Sequence, residues 1–204
     1  MVAEPKRWFI TPEEYLAAEE QAETRSEFIG GEIIAMAGAS LTHVRLNSNI
    51  QGRLFMQLDG RPCEVFSQDL RVRMNDEGDY CYPDVGVACE PEIDNGNLLN
   101  PVVIIEVLSP STELKDRTIK FEALRRNTSL MDYVLVSQTR VYIDHYHRQD
   151  DNSWNLKSLE TREDELILES IDCRLKVSEV YARVELPSLQ VVPQNQGSEE
   201  TKND

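Results

Sequence analysis

An unbroken apolar run that ends in a charged residue constrains the fold of this 204-residue chain more than any other feature. The run, Val102 to Ile105, lies between a proline and a Ser-Pro turn and predicts a short strand buried on both faces. Glu106 follows it directly. A carboxylate at the end of such a strand is costly to bury, so Glu106 should be paired, hydrogen-bonded or bound to a cation.

Composition bounds the class of protein. The length suits one domain, and 40% hydrophobic with 28% charged residues is ordinary for a soluble globular chain. The formal net charge is −16, which counts against avid non-specific nucleic-acid binding but leaves room for a local basic patch or a bound metal. No apolar run reaches the length of a membrane span and the N-terminus lacks a signal-peptide core, so we expect a cytoplasmic protein.

Cysteine spacing indicates no metal or redox motif. The four cysteines form no C-x-x-C pair, and we predict reduced, mostly buried thiols at Cys63, Cys81, Cys89 and Cys173.

Local signals predict an N-terminal helix and a β-hairpin. Thr11-Pro12-Glu13-Glu14 forms a capping box with proline at the first helical position, and helix should follow to about Gln21. Gly30-Gly31 predicts a tight turn between two strands over 26–36, with Glu27 at the mouth of the hairpin. Ser40 should cap a second helix that ends near Gly60 and carries His43 in its first turn.

The remaining elements predict a mixed α/β fold with helices against a central sheet. We expect strands at 64–66, 69–74, 79–89, 102–105, 132–136 and 140–147, with 154–159 and 166–169 extending the sheet, a polar helix at 112–126 and a closing helix at 177–182. Asp84 comes directly after Pro83 in the 79–89 strand. Residues 8–186 should form the domain, and the polar stretch 187–204 should be a disordered tail.

Two carboxylates suggest a chemistry if their strands are neighbours. Asp84 and Glu106 would then meet near one sheet edge, where like charges cannot both ionise cheaply and a divalent cation would resolve the conflict. Mg²⁺ favours carboxylate oxygens and can activate water beside a phosphoryl group. Lys120, on the following helix, is the nearest residue to hold the water or the phosphate.

Simpler interpretations stand beside this one. Asp84 fits a turn residue bonded to its own backbone, and Lys120 fits an exposed ion pair with Asp116 worth only about 0.3–0.5 kcal/mol. His43 in a first helical turn is more often a surface residue than a ligand. A solvated basic face would account for Lys115, Arg117, Arg125 and Arg126.

The succession of motifs resembles the Uma-two family, bacterial proteins with the restriction-endonuclease-like PD-(D/E)XK core. The resemblance covers about residues 8 to 186. It is carried by the Gly-Gly hairpin with Glu27, Ser40-x-x-His43, Ser67-x-Asp69-Leu-Arg-Val, Pro83-Asp84-Val, Ile105-Glu106-Val-Leu-Ser-Pro-Ser-Thr, Asp116-x-x-x-Lys120 and Asp132-Tyr-Val-Leu-Val.

The resemblance implies a metal-dependent phosphodiesterase fold. Asp84 and Glu106 would be ligands of Mg²⁺ or Mn²⁺, the backbone carbonyl of Val107 a third ligand, and Glu27 the additional acidic residue found near such sites. The superfamily usually carries Lys two residues after the second acid, where this chain has Leu108, and the resemblance suggests that Lys120 has taken that role. A second departure is Leu124, where relatives commonly show an aromatic residue.

Two functions therefore stand as hypotheses. The first is an endonuclease that cuts DNA, with Asp84, Glu106 and Lys120 as catalytic residues and a homodimer as the assembly that cuts both strands. The second is a catalytically silent, oligomeric binding protein that keeps the nuclease core, motivated by the net charge and by Leu108. His43, Gln68 and Asp69 are candidate supporting residues, and Arg71, Arg73 and Arg117 are candidate phosphate-binding residues.

Overall fold

Three β-sheets and the helices packed against them make up the fold in the computed structural model, which describes residues 10–36 and 38–187. The helices are α1 (Pro12–Glu19), α2 (Leu41–Leu58), α3 (Glu113–Lys115), α4 (Phe121–Leu124) and α5 (Val177–Val180), with a π-helical turn at Asp116–Lys120 and a 3-10 turn at Glu169–Ile171. The strands are β1 (Ser26–Ile29), β2 (Glu32–Ala35), β3 (Cys63–Ser67), β4 (Arg71–Arg73), β5 (Tyr80–Cys81), β6 (Val85–Cys89), β7 (Ile93–Asp94), β8 (Asn97–Leu98), β9 (Val103–Leu108), β10 (Asp132–Ser137), β11 (Ile143–Arg148), β12 (Trp154–Leu159), β13 (Glu165–Leu168) and β14 (Cys173–Lys176).

The central sheet is mixed, in the order β12-β11-β10-β9-β6-β3. Strands β9 and β10 run parallel, and every other neighbouring pair in this sheet is antiparallel. Alternate side chains of β9 enter different cores: Ile105 and Val107 pack with α2 on one face, and Ile104 and Leu108 pack on the other. Burial on both faces explains the unbroken apolar run, and the mixed α/β class is confirmed.

The N-terminal predictions are also confirmed. Thr11 caps α1 through a capping box with Glu14, and Gly30 and Gly31 take φ angles of +59° and +83° in the turn between β1 and β2. This hairpin belongs to a second sheet, in the order β2-β1-β5-β4-β8-β7. The hairpin thereby brings β1 beside β5, just before the Pro83-Asp84 segment.

The prediction of one strand over residues 79–89 is wrong, because the chain changes sheet within it. Strand β5 pairs with β4 and β1 in the second sheet, whereas β6 pairs with β3 and β9 in the central sheet. Pro83 lies between them and has no amide hydrogen to donate to a ladder. Asp84 is therefore positioned at the start of β6, where the two sheets diverge.

Three other features of the fold differ from expectation. Glu106 does not follow its strand but lies within β9, which continues to Leu108. The helical stretch after Thr112 is not an exposed polar helix, since Asp116, Lys120 and Leu124 are buried in it. Strand β13 does not extend the central sheet but pairs with β14 in a separate two-stranded sheet.

The prediction of four reduced cysteines is wrong for two of them. Cys63 and Cys89 lie opposite each other in the register of β3 and β6 and are joined by a disulfide. Sequence spacing could not reveal this pair, because 26 residues separate them and only strand pairing brings them together. Cys81 and Cys173 are free and buried, as expected.

No helix in residues 10–36 and 38–187 has the length and apolar character needed to span a bilayer. The predicted tail at 187–204 lies, apart from Pro187, outside the described residues.

Candidate active site

Strand register brings the two predicted carboxylates together. Val85 on β6 faces Ile105 on antiparallel β9, so Asp84 comes opposite Glu106. Both are buried, and Asp84 Oδ2 accepts a hydrogen bond of 2.7 Å from the Val107 N–H. Asp84 is thus fixed to the neighbouring strand and is not a turn residue bonded to its own backbone.

The π-helical turn delivers Lys120 to this pair. Lys120 Nζ lies 2.6 Å from Glu27 Oε1 on β1 and 2.6 Å from Glu106 Oε1. Its distance to Asp116 Oδ1 is 3.9 Å, and Lys120 is only 2% exposed. An exposed surface pair with Asp116 therefore does not describe this lysine.

Lys115 completes the pairing of Glu27, a contact that the sequence analysis missed because it assigned Lys115 to a solvated face. Lys115 Nζ lies 2.5 Å from Glu27 Oε2. Each oxygen of the Glu27 carboxylate thus meets its own ammonium group. The only sequence signal for this contact is the spacing of Lys115 and Lys120, which lie five residues apart around the π-helical turn.

Charge in this cluster is unbalanced. Burial raises the pKa of Glu106, and the neighbouring carboxylates raise it further. The positive charge of Lys120 lowers it but does not offset these effects, so the pKa stays well above the usual range. Glu27 behaves in the opposite way: burial would raise its pKa, but Lys120 and Lys115 hold it below the ordinary value. Four carboxylates, at Glu27, Asp84, Glu106 and Asp116, share two ammonium groups in this cluster.

One buried oxygen of Glu106 accepts no hydrogen bond. Glu106 Oε1 faces Lys120 Nζ as an ion pair, but the approach lacks hydrogen-bond geometry. Together with the crowding of carboxylates that raises the pKa of Glu106, this oxygen fits a site that takes a cation. The donors within reach, carboxylates of Asp84 and Glu106 and the backbone at Val107, are the oxygen ligands that Mg²⁺ and Mn²⁺ favour.

His43 extends the cluster from the first turn of α2. Ser40 caps the helix by accepting a hydrogen bond from the His43 N–H, and this places His43 Nε2 2.8 Å from Asp84 Oδ1. Burial lowers the pKa of His43, but the hydrogen bond and the charge of Asp84 outweigh it and leave the pKa raised. His43 is thus an inward-facing partner of Asp84 and not a surface residue.

These side chains line one cavity of about 310 Å³. Hydroxyl groups from the loop after β9 also line it, at Ser109, Ser111 and Thr112, and Gln68 lines it as well. The cavity therefore offers carboxylates, ammonium groups, an imidazole and hydroxyls around one space, which suits a polar, charged substrate.

The other candidate residues lie elsewhere. Asp69 is exposed and does not line the cavity. Arg71 donates to Asn97, Arg73 to the backbone of Asn75 and Asp76, and Arg117 to Glu113 and Asp144. None of these three arginines lines the cavity, where the cations are Lys115 and Lys120.

Comparison with known proteins identifies related sequences and a related fold. The Uma2 family model, described as "Putative restriction endonuclease", matches residues 12–178. Two uncharacterized proteins of Synechocystis sp. PCC 6803 are similar: slr1290 is 37% identical and sll1609 41% identical, covering 84% and 74% of this chain and 91% and 87% of those proteins. A crystal structure from Anabaena variabilis, described as a "putative nuclease belonging to DUF820", has a TM-score of 0.72 at 19% identity and covers 86% of this chain and 99% of that one.

Proposed function

The chain belongs to the Uma2 family, and we propose that it is a metal-dependent endonuclease that hydrolyses phosphodiester bonds of DNA. The observation that carries this proposal is the convergence of Asp84, Glu106 and Lys120 on one cavity from three separate segments. Sheet register brings the two acids together, and the π-helical turn brings the lysine to them.

The proposal assigns distinct roles to the side chains of the cavity. Asp84 and Glu106 would hold Mg²⁺ or Mn²⁺, and the backbone carbonyl of Val107 would be a third ligand. A divalent cation bound there acidifies water and neutralises charge on the scissile phosphate. Lys120, held between Glu27 and Glu106, donates to the attacking water or to a phosphate oxygen, as a preorganised cation should.

His43 and Glu27 act as positioning residues in this proposal. His43 orients Asp84 through the 2.8 Å contact and can hold a proton beside it. Glu27 neutralises Lys115 and keeps Lys120 directed at Glu106. A homodimer would supply the two sites that a double-strand cut needs.

The silent binding protein remains a second candidate, favoured by a specific observation. Arg71, Arg73 and Arg117 make contacts away from the cavity, so they do not add a basic track for nucleic acid there. With a net charge of −16, affinity for DNA would depend on a bound cation and two lysines.

A nicking assay with isosteric variants separates the two. Wild type, Asp84→Asn and Glu106→Gln are incubated with supercoiled DNA in Mg²⁺, Mn²⁺ or EDTA, and metal binding is followed by calorimetry. Glu64→Gln is the matched control, because Glu64 is an exposed acid on β3 of the same sheet.

We expect nicking that requires metal, persists in Glu64→Gln and falls by at least about 10³-fold in the other two variants, a loss of about 4 kcal/mol of transition-state stabilisation. Nicking that survives in Glu106→Gln would overturn the site assignment. A wild-type protein that binds neither metal and cuts nothing would overturn the nuclease function and leave the binding protein.

A further inference from the structure

A second polar cluster lies on the other face of the central sheet. Asp132 on β10 is directly opposite His147 on antiparallel β11, and His145 precedes His147 by two residues, so the three share a face. This is the face of Val134 and Ile143, which pack with α2. Glu106 alternates with Ile105 and Val107 of that same core and therefore points to the opposite side.

The three side chains converge on one point. His145 Nε2 lies 2.6 Å from Asp132 Oδ1, and His147 Nδ1 lies 2.7 Å from the same oxygen. One ligand atom from each residue falls within 4.8 Å of the others, and within residues 10–36 and 38–187 no other trio of His, Cys, Asp or Glu does so. Two of the chain's three histidines are thus committed to a single carboxylate oxygen.

The other oxygen of that carboxylate is held separately. Ser170, in the 3-10 turn after β13, donates a hydrogen bond to Asp132 Oδ2. Such outer contacts fix a ligating carboxylate in orientation and leave its free oxygen for the metal. Asp132 is fully buried, so its charge needs strong compensation.

Space for a further ligand adjoins the imidazoles. A cavity of about 220 Å³ is lined by His145 and His147 and, among others, by Glu165 and Glu169. The His147 side chain is 29% exposed, so a cation can reach the cluster from solvent. The cluster is thus buried at Asp132 and accessible at His147.

We infer that Asp132, His145 and His147 bind a transition-metal cation of the Zn²⁺ class. Two imidazoles and one carboxylate with an open position suit such metals, whereas Mg²⁺ favours oxygen ligands alone. The simpler interpretation is a carboxylate neutralised by two N–H donors. It accounts for the hydrogen bonds, whereas the adjoining cavity with two more acids favours a metal site, although Lys157 also lines that cavity. Metal bonds of about 2.0–2.2 Å require both imidazole nitrogens to move away from Asp132 Oδ1, which needs a small shift of the buried His145 side chain as well as of the partly exposed His147 side chain.

The test is a calorimetric titration of Zn²⁺ into the full chain freed of any affinity tag, in buffer with excess Mg²⁺ to occupy oxygen-rich sites. Co²⁺ replaces Zn²⁺ in a parallel experiment, where visible absorption bands report imidazole coordination. The variants are His145→Gln and His147→Gln. His43→Gln is the matched control because it removes the remaining histidine, which contacts Asp84 and not Asp132.

We expect one tight equivalent of Zn²⁺ in wild type and in His43→Gln, and binding weakened by more than about 100-fold in the other two variants. The visible absorption bands of bound Co²⁺ should also be lost in His145→Gln and His147→Gln. Equal affinity in all four proteins, or no Zn²⁺ binding by wild type, would leave a hydrogen-bonded polar cluster and overturn the inference. If His145→Gln fails to fold, His147→Gln decides the outcome, because its side chain is the more exposed.

Discussion

The two faces of the central sheet carry ionisable clusters of contrasting construction. Around Glu106 and Lys120, acids and amines from β1, β9, the residue before β6 and the π-helical turn meet in a largely buried network. Around Asp132, two imidazoles come from one neighbouring strand, and His147 reaches solvent. The contrast indicates that one sheet can support an oxygen-rich site and a nitrogen-rich site at once, because alternate side chains of its strands belong to different environments.

The largest expected difference between the clusters concerns stability. Lys120→Met leaves Glu27 and Glu106 buried without their shared cation, so the free energy of unfolding should fall by about 3–5 kcal/mol. His147→Gln removes one hydrogen bond from a half-buried group and should cost only about 0.5–1.5 kcal/mol. Urea denaturation in EDTA measures both.

A control identifies the cause of the loss. Adding Glu27→Gln and Glu106→Gln to Lys120→Met removes the uncompensated charges and should recover part of the stability. Equal losses in Lys120→Met and His147→Gln would show that the two clusters do not differ in the way proposed.

A smaller effect should separate the clusters functionally. Ser170→Ala frees Asp132 Oδ2 and should weaken Zn²⁺ binding by about 10–100-fold, as loss of an outer contact to a ligand does. Nicking in Mg²⁺ should be unchanged, because Ser170 does not line the Glu106 cavity. Zn²⁺ calorimetry and the nicking assay, run on one preparation, measure both effects. A loss of nicking activity together with the loss of Zn²⁺ affinity would mean that the two faces are coupled.

The sequence supported the Glu106 site better than the Asp132 site for a physical reason. Asp84, Glu106 and Lys120 lie in motifs whose order along the chain resembles a family, and an acid beside a buried strand already signals a cost that needs explanation. His145 and His147 alternate within an ordinary strand pattern. Only the register between β10 and β11 shows that they share a carboxylate.

Packing also decided what the sequence left open. The π-helical turn turns Lys120 inward, a change that regular helical spacing does not predict. The sheet change at Pro83 and the pairing of Cys63 with Cys89 depend on contacts between distant segments. Charge and position alone favour the candidate arginines, whereas their partners, such as Asn97 and Asp144, are set by strand pairing that the sequence does not reveal.

The smallest expected effect concerns His43, the imidazole that lines the Glu106 cavity. The pKa of His43 is raised, so the folded state binds its proton more tightly than the unfolded chain does. Its stabilising contribution is fully present below the ordinary histidine pKa of about 6.5 and is lost as the pH rises through the raised value. The stability difference between wild type and His43→Gln should therefore shrink as the pH rises from 5.5 to 8.5, about one unit below to two units above that ordinary value.

Urea denaturation in EDTA across this pH range measures the difference, with Glu64→Gln expected to follow the wild-type profile. A difference that stays constant with pH would mean that the Asp84 contact does not favour the charged imidazole, and that His43 supports Asp84 as a neutral hydrogen-bond donor.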